Sequence, residues 1–344
     1  MSGSMTAHSR PPDRRAVLTR VVLAVSGVVA FIAFTVTIPY FLTVDNLANL
    51  LNDVALVGIV ALPATFLMMS GQVDLSVGAA AAFVGIVLAR TAPDSGLLPA
   101  VLLAIGTGAL IGLVNGLLVT EGEVNSIAAT FASMALLRGL AYLVPSGLAI
   151  ALPGFRSLGT LRPVLGIALP TLIFAAIALV AALMSRSAIG RRSRAIGSLP
   201  AAQRMDGSGE RHWIIALFVA SGLAAALAGL IRTSQLGTGL PTAGIGIELT
   251  VVTAVLLGGG HLTGGRGSVG GTLLALLLMA IVDNGMSLAN VTPYAAQVFH
   301  AGLLLLALMI DRPRRRSRTR SPARTKQGGD SVRIDGASDP RVPG

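Results

Sequence analysis

Cysteine is absent from the 344 residues, lysine and tryptophan occur once each, and charged side chains make up only 12%. Without cysteine there are no disulfides, no thiolate catalysis and no Cys-ligated zinc or iron–sulfur centre; the redox compartment is left undecided. The one lysine, Lys326, sits in a hydrophilic C-terminal stretch. A P-loop needs its lysine directly after a glycine-rich turn, so this chain carries no such nucleotide site. A soluble domain carries roughly 25% charged residues. Here 53% of residues are hydrophobic and the mean hydropathy is +0.78. So much apolar surface can be accommodated only by lipid, which makes the chain an all-α polytopic membrane protein.

Catalytic arrangements are missing too. His8, His212, His261 and His300 are scattered, without the helical spacing and intervening Glu of a zinc hydrolase, so no metal site is expected. Gly265, Gly267 and Gly270 spell GxGxxG, but they open an apolar run with no βαβ unit around them, the wrong context for cradling phosphate. The composition points to a non-enzyme.

The positive charge is clustered. Residues 1–20 net +3, residues 186–211 net +4 and residues 312–344 net +7, so with a total of +11 the rest of the chain nets −3. Basic segments flanking spans mark the cytoplasmic side. Spans of about 20 apolar residues are expected near 17–39, 46–69, 75–90, 97–119, 126–144, 164–185, 212–232, 246–260, 268–288 and 294–311. Six separate the first basic segment from the second and four the second from the third, so all three fall on one face and both termini are cytoplasmic. The runs at 75–90 and 246–260 are short and glycine-flanked, as broken or re-entrant helices would be, and eight full spans plus two partial ones fit equally well. The domain plan is a cytoplasmic segment at 1–16, a membrane domain at 17–311 and a disordered basic tail at 312–344. Beside a span, the tail's arginines suit anionic lipid rather than nucleic acid. The first span is expected to be retained rather than cleaved as a signal.

Polar residues interrupt the spans in four places. Ser70–Gly78 holds Gln72, Asp74 and Ser76, in the manner of an unwound helix lining a cavity. Asp74 has two readings, capping the third span and lining a pathway. An acidic turn, Glu121 to Asn125, precedes a span with an embedded Arg138, which needs a partner or water. Gly258–Ser268 is a glycine-rich stretch, and Asp283-Asn284-Gly285 reads as a helix C-terminus. Gly108, Gly112 and Gly116 form a small-residue stripe, either a seam between subunits or ordinary internal packing. In the basic loop, residues 199–207 read as a short docking helix or, equally, a charged linker.

Solute transport against a gradient needs an energy source, either an ion gradient or a separate ATPase. For an ion-coupled carrier the candidate carboxylates are Asp53, Asp74, Glu248 and Asp283.

Five ordered motifs bear on that choice: GQVDLSVGA at 71–79, Gly-Leu-Val-Asn-Gly at 112–116, Arg138-Gly139, the loop Gly190-Arg191-Arg192 with Ala195-Ile196-Gly197 and Pro200, and Gly244–Leu249 running on to Leu262–Ser268. In these the chain resembles the membrane permease subunits of binding-protein-dependent ABC sugar importers of the ribose, xylose and galactose type, over about residues 45–311. The resemblance implies a permease pair, homo- or heterodimeric, cytoplasmic ABC ATPase subunits and an extracytoplasmic solute-binding protein in a bacterial plasma membrane. It also implies that ATP binds the partner ATPase and that this chain binds no cofactor. Gln72, Asp74, Ser76, Asn115, Asn125, Arg138 and Glu248 become candidates for the substrate pathway. Arg191, Arg192, Ile196, Gly197, Pro200, Arg204 and Gly207 become candidates for the loop that couples to the ATPase. Gln72 stands where the family has a second glycine, Leu199 and Ala201 where it has Asn and Glu, and Thr250 where an acid is common. The altered loop points to a dedicated ATPase partner.

Overall fold

The computed structural model describes residues 14–164, 166–199 and 208–310. The basic tail, the helix expected over 199–207 and the coupling candidates Pro200, Arg204 and Gly207 therefore lie outside the described residues, apart from Leu199. In chain order the helices are α1 (Arg14–Thr37), α2 (Val44–Met69), α3 (Val77–Ser95), α4 (Leu97–Thr120), α5 (Ser126–Leu143), α6 (Ser157–Thr160), α7 (Leu169–Arg186), α8 (Ala188–Ser198), α9 (Ser208–Leu236), α10 (Ile247–Leu257), α11 (Val269–Leu288) and α12 (Pro293–Ile310). Two short strands, β1 (Ile150–Ala151) and β2 (Thr238–Gly239), pair antiparallel.

Each expected span coincides with a helix, and among the described residues eight are long and apolar enough to cross a bilayer. Ile247–Leu257 and Tyr294–Met309 are shorter apolar helices. The run read as 75–90 is in fact full length: α3 continues through Arg90 and Pro93, its last turns carrying an exposed Arg90–Asp94 pair at 3.4 Å. Nor does α11 stop at Asp283-Asn284-Gly285. It continues to Leu288 because Gly285 packs beneath the Phe34 ring of α1 and Asn284 exchanges two 2.8 Å hydrogen bonds with Asn46 of α2.

Contacts sort the helix ends into two groups, as an even span count requires. One group joins Arg20 to Ser268, Arg211 to Glu121, and α8 to the end of α2. The other joins β1 to β2, Asn46 to Asn284, and Asp283 to His300. The first group contains the basic helix α8 and is termed the basic face below.

Helices α2, α3 and α9 form the buried centre, while α1 and α7 present most of their apolar side chains outward. In lipid no hydrophobic force draws helices together, so association depends on close packing and interhelical hydrogen bonds. The glycine stripe supplies the packing. A Cβ on Gly112 would collide with the Phe218 carbonyl, one on Gly108 would lie 2.5 Å from Ala226 Cβ, and one on Gly116 would lie 3.0 Å from Ile215 Cα. The stripe is an internal α4–α9 seam rather than a subunit interface. Thr65 and Thr272 add a buried hydroxyl pair, 3.1 Å apart, between α2 and α11.

Candidate functional site

Between α2 and α3 the chain runs unwound through the protein interior, so its backbone groups need partners. Hydroxyls on α5 supply them. Ser126 accepts from the Val73 amide at 3.3 Å, while Thr130 accepts from the Leu75 amide at 3.1 Å and donates to the Val73 carbonyl at 3.3 Å. Asp74, only 4% exposed, accepts from the Ser76 amide (2.9 Å), the Ser76 hydroxyl (2.6 Å) and the Ser221 hydroxyl of α9 (2.7 Å). Asn115 of α4 donates to Ser76 at 2.9 Å and accepts from Ser133 of α5. One polar chain thus links α3, α4, α5 and α9 through Asp74, Ser76 and Asn115. Its members spend their hydrogen bonds on one another, which makes it a brace. Gln72 is buried beside it.

The other pathway candidates lie apart. Asn125 is exposed on the basic face and caps α5, accepting from the Ile127 amide at 3.0 Å and the Ala128 amide at 3.4 Å. Arg138 finds its expected partners in the Pro241 and Ala243 carbonyls, at 2.7 and 2.9 Å, which anchors the turn ahead of α10. Glu248 opens α10, one oxygen accepting from the Gly246 amide at 3.2 Å. Its other oxygen is buried over Gly78 with no hydrogen-bond partner.

On the basic face, α8 is clamped to both membrane breaks. Ser187 starts the helix by accepting from the Ile189 amide at 3.2 Å. Gly190, Ser193, Ile196 and Gly197 turn inward, while Arg191, Ala195 and Ser198 stay exposed. A Cβ on Gly197 would strike the Met69 carbonyl and the Gly265 amide, which themselves bond at 2.9 Å. Gly264, at φ +82°, packs on Gly71, so α8, the end of α2 and the 258–268 loop meet backbone to backbone. Trp213 donates to Ser193 at 3.1 Å and lies 5.1 Å beneath the Arg192 guanidinium, fixing α8 to α9. Burial, and after it the neighbouring Arg191, pulls the Arg194 guanidinium below the ordinary arginine value. The coupling candidates therefore divide: Ile196 and Gly197 grip the membrane domain, and Arg191 and Arg192 lie on its surface.

Three charged groups meet at a cavity of about 300 Å³ among α2, α9, α10 and α11. Asp53, Arg232 and Asp283 line it, with Thr250 and apolar walls that include Val57, Ile247 and Met279. From the sequence the two aspartates stand out only as ion-coupling candidates, and Arg232 does not stand out at all. The available signal was an arginine near the end of an otherwise apolar span.

A family model described as "Branched-chain amino acid transport system / permease component" matches residues 46–308. The chain belongs to this family of permease components. It is 35% identical over 282 residues to the ribose import permease protein of Escherichia coli, covering 79% of this chain and 87% of that relative. It is 34% identical over 304 residues to the L-arabinose ABC transporter permease protein of Azospirillum brasilense, covering 84% and 86%. With the ribose import permease protein of Bacillus subtilis the identity is 35% over 281 residues, covering 80% and 87%. No solved structure matches the chain. Membership favours the permease subunit of an ABC importer over the ion-coupled carrier, in keeping with Asp74 being occupied as a brace. The permease is a multi-pass protein of the bacterial inner membrane.

Proposed function

We propose that the permease forms the membrane pathway for a monosaccharide of pentose type. Cytoplasmic ATPase subunits bind and hydrolyse ATP, and this chain binds no cofactor. Two permease subunits pair, the ATPases engage the α8 face, and an extracytoplasmic binding protein delivers solute at the opposite face. The solute class rests on one observation: relatives named for ribose and arabinose import match at 34–35% identity over about four-fifths of the chain. The α8 clamp supports the coupling route. Movement of α8 by an ATPase would reach the Met69 carbonyl and the Gly265 amide directly, and through them the two membrane breaks.

The family's own description supports a second reading, a branched-chain amino acid as solute. Reconstitution of the permease with its ATPase and binding protein in liposomes separates the two. Import of ribose or arabinose that requires ATP and survives collapse of ion gradients is the expected result. Import of leucine or valine without the sugars would establish the second reading, and gradient-driven uptake without ATP would remove both.

A further inference from the structure

The cavity beside α10 is not part of the brace or of the α8 clamp. Asp53 lies nine residues into α2, about 13 Å along the helix axis. Arg232 and Asp283 lie four and five residues before the ends of α9 and α11, on the same side as Asp53, opposite the basic face. All three line one open groove, about one to three helical turns inside the helix ends opposite the basic face. Ionisable side chains at that depth face water, a partner or a solute rather than hydrocarbon.

Their hydrogen-bonding capacity is mostly unspent. Among the described residues no hydrogen bond reaches the carboxylate of Asp53 or of Asp283, and the Arg232 guanidinium makes one long contact, 3.4 Å to Gln235. His300 of α12 approaches Asp283 to 2.9 Å, at an ion pair's distance but without a hydrogen bond's alignment. The groove thus offers two carboxylates as acceptors and one guanidinium as a donor. Apolar walls from Val57, Ile247 and Met279 surround them. A few convergent polar groups set between apolar patches in a half-open cavity of about 300 Å³ lie at the small end of the size range of small-molecule sites. Sugars match this chemistry, because their hydroxyls both donate and accept while their C–H faces pack on apolar surface.

We propose that the groove bounded by Asp53, Arg232 and Asp283 is the solute site within the permease, where the hydroxyls of a monosaccharide are read between the binding protein and the basic face. The assignment rests on the sugar-importer reading above. It places the path beside α10, away from the Asp74 brace.

The natural absence of cysteine makes a direct test available in the assembled importer. Thr250→Cys places a lone thiol on the permease within the groove, and Leu110→Cys places one on the outward side of α4 as a control. A charged thiol reagent is expected to modify the first and spare the second, and binding protein loaded with ribose or arabinose, with ATP, is expected to slow that modification several-fold. Asp53→Ala, Arg232→Met and Asp283→Ala are each expected to cut the import rate from saturating loaded binding protein about tenfold or more, the loss of one charge-assisted hydrogen bond.

An inert Thr250→Cys thiol, a disulfide between two copies at that position, protection by leucine but not by sugars, or undiminished import in all three variants would overturn the assignment. If the wild-type importer moves a sugar while the groove thiol stays inert, only the groove is wrong. If the wild-type importer moves no sugar, the functional reading fails and the groove assignment falls with it. Should a charge variant not fold, the protection of Thr250→Cys decides alone.

Discussion

Asp74 accepts two hydrogen bonds from Ser76 and one from Ser221 while sealed from lipid and water. Hydrogen bonds to a charged group contribute about 1.5–3 kcal/mol each, and leaving such partners unsatisfied costs more. Asp74→Ala should therefore destabilise the permease by ~3 kcal/mol or more. Asn keeps an acceptor for Ser76 and presents a donor to Ser221, whose hydroxyl can rotate to accept, so Asp74→Asn should be milder. Size-exclusion profiles of tagged protein, read beside uptake per folded molecule, check both. Folded yield and uptake are expected to fall together in the alanine variant. A well-folded alanine variant without uptake would return Asp74 to the pathway.

On the proposed coupling route, α8 would pass movement on at Gly197, where its inner face carries no side chain. Gly197 lets the helix backbone rest on the Met69 carbonyl and the Gly265 amide, where a longer side chain would have absorbed movement. Gly197→Ala should push α8 away from both while leaving Arg191 and the exposed Ser198 available to an ATPase. The expected outcome is an intact complex in which solute-loaded binding protein no longer stimulates ATP hydrolysis, measured by co-purification and phosphate release. Loss of the complex itself would mean that Gly197 shapes the docking surface. The sequence places Gly197 only among the coupling-loop candidates, because a loop glycine gives no sign of which way its missing side chain points.

For the whole permease, the two groups of helix ends define a sidedness that the charge distribution independently assigns. Leu148 lies in the stretch before β1 and Val124 in the turn before α5, and both are exposed. In intact cells, Leu148→Cys should react with a membrane-impermeant maleimide, and Val124→Cys only after permeabilisation. The reverse pattern would invert the topology and move the groove to the cytoplasmic half.

Composition and hydropathy were enough to establish a helical membrane protein with ten apolar helices at nearly their observed positions. These properties follow from the solvent: a bilayer acts on every twenty-residue stretch separately, so each can be read without its neighbours. Ordered motifs also carried the permease family. What could not be read was which polar residues face one another. Asp74 and Asp53 are both aspartates in apolar surroundings, yet one is enclosed by two serines and the other opens on a groove with Arg232 and Asp283. The glycine stripe was likewise open between two partners until α9 was seen against it. Brace and binding wall differ by the neighbours that packing brings from distant helices, and for residues 53, 232 and 283 those neighbours meet only when α2, α9 and α11 are assembled.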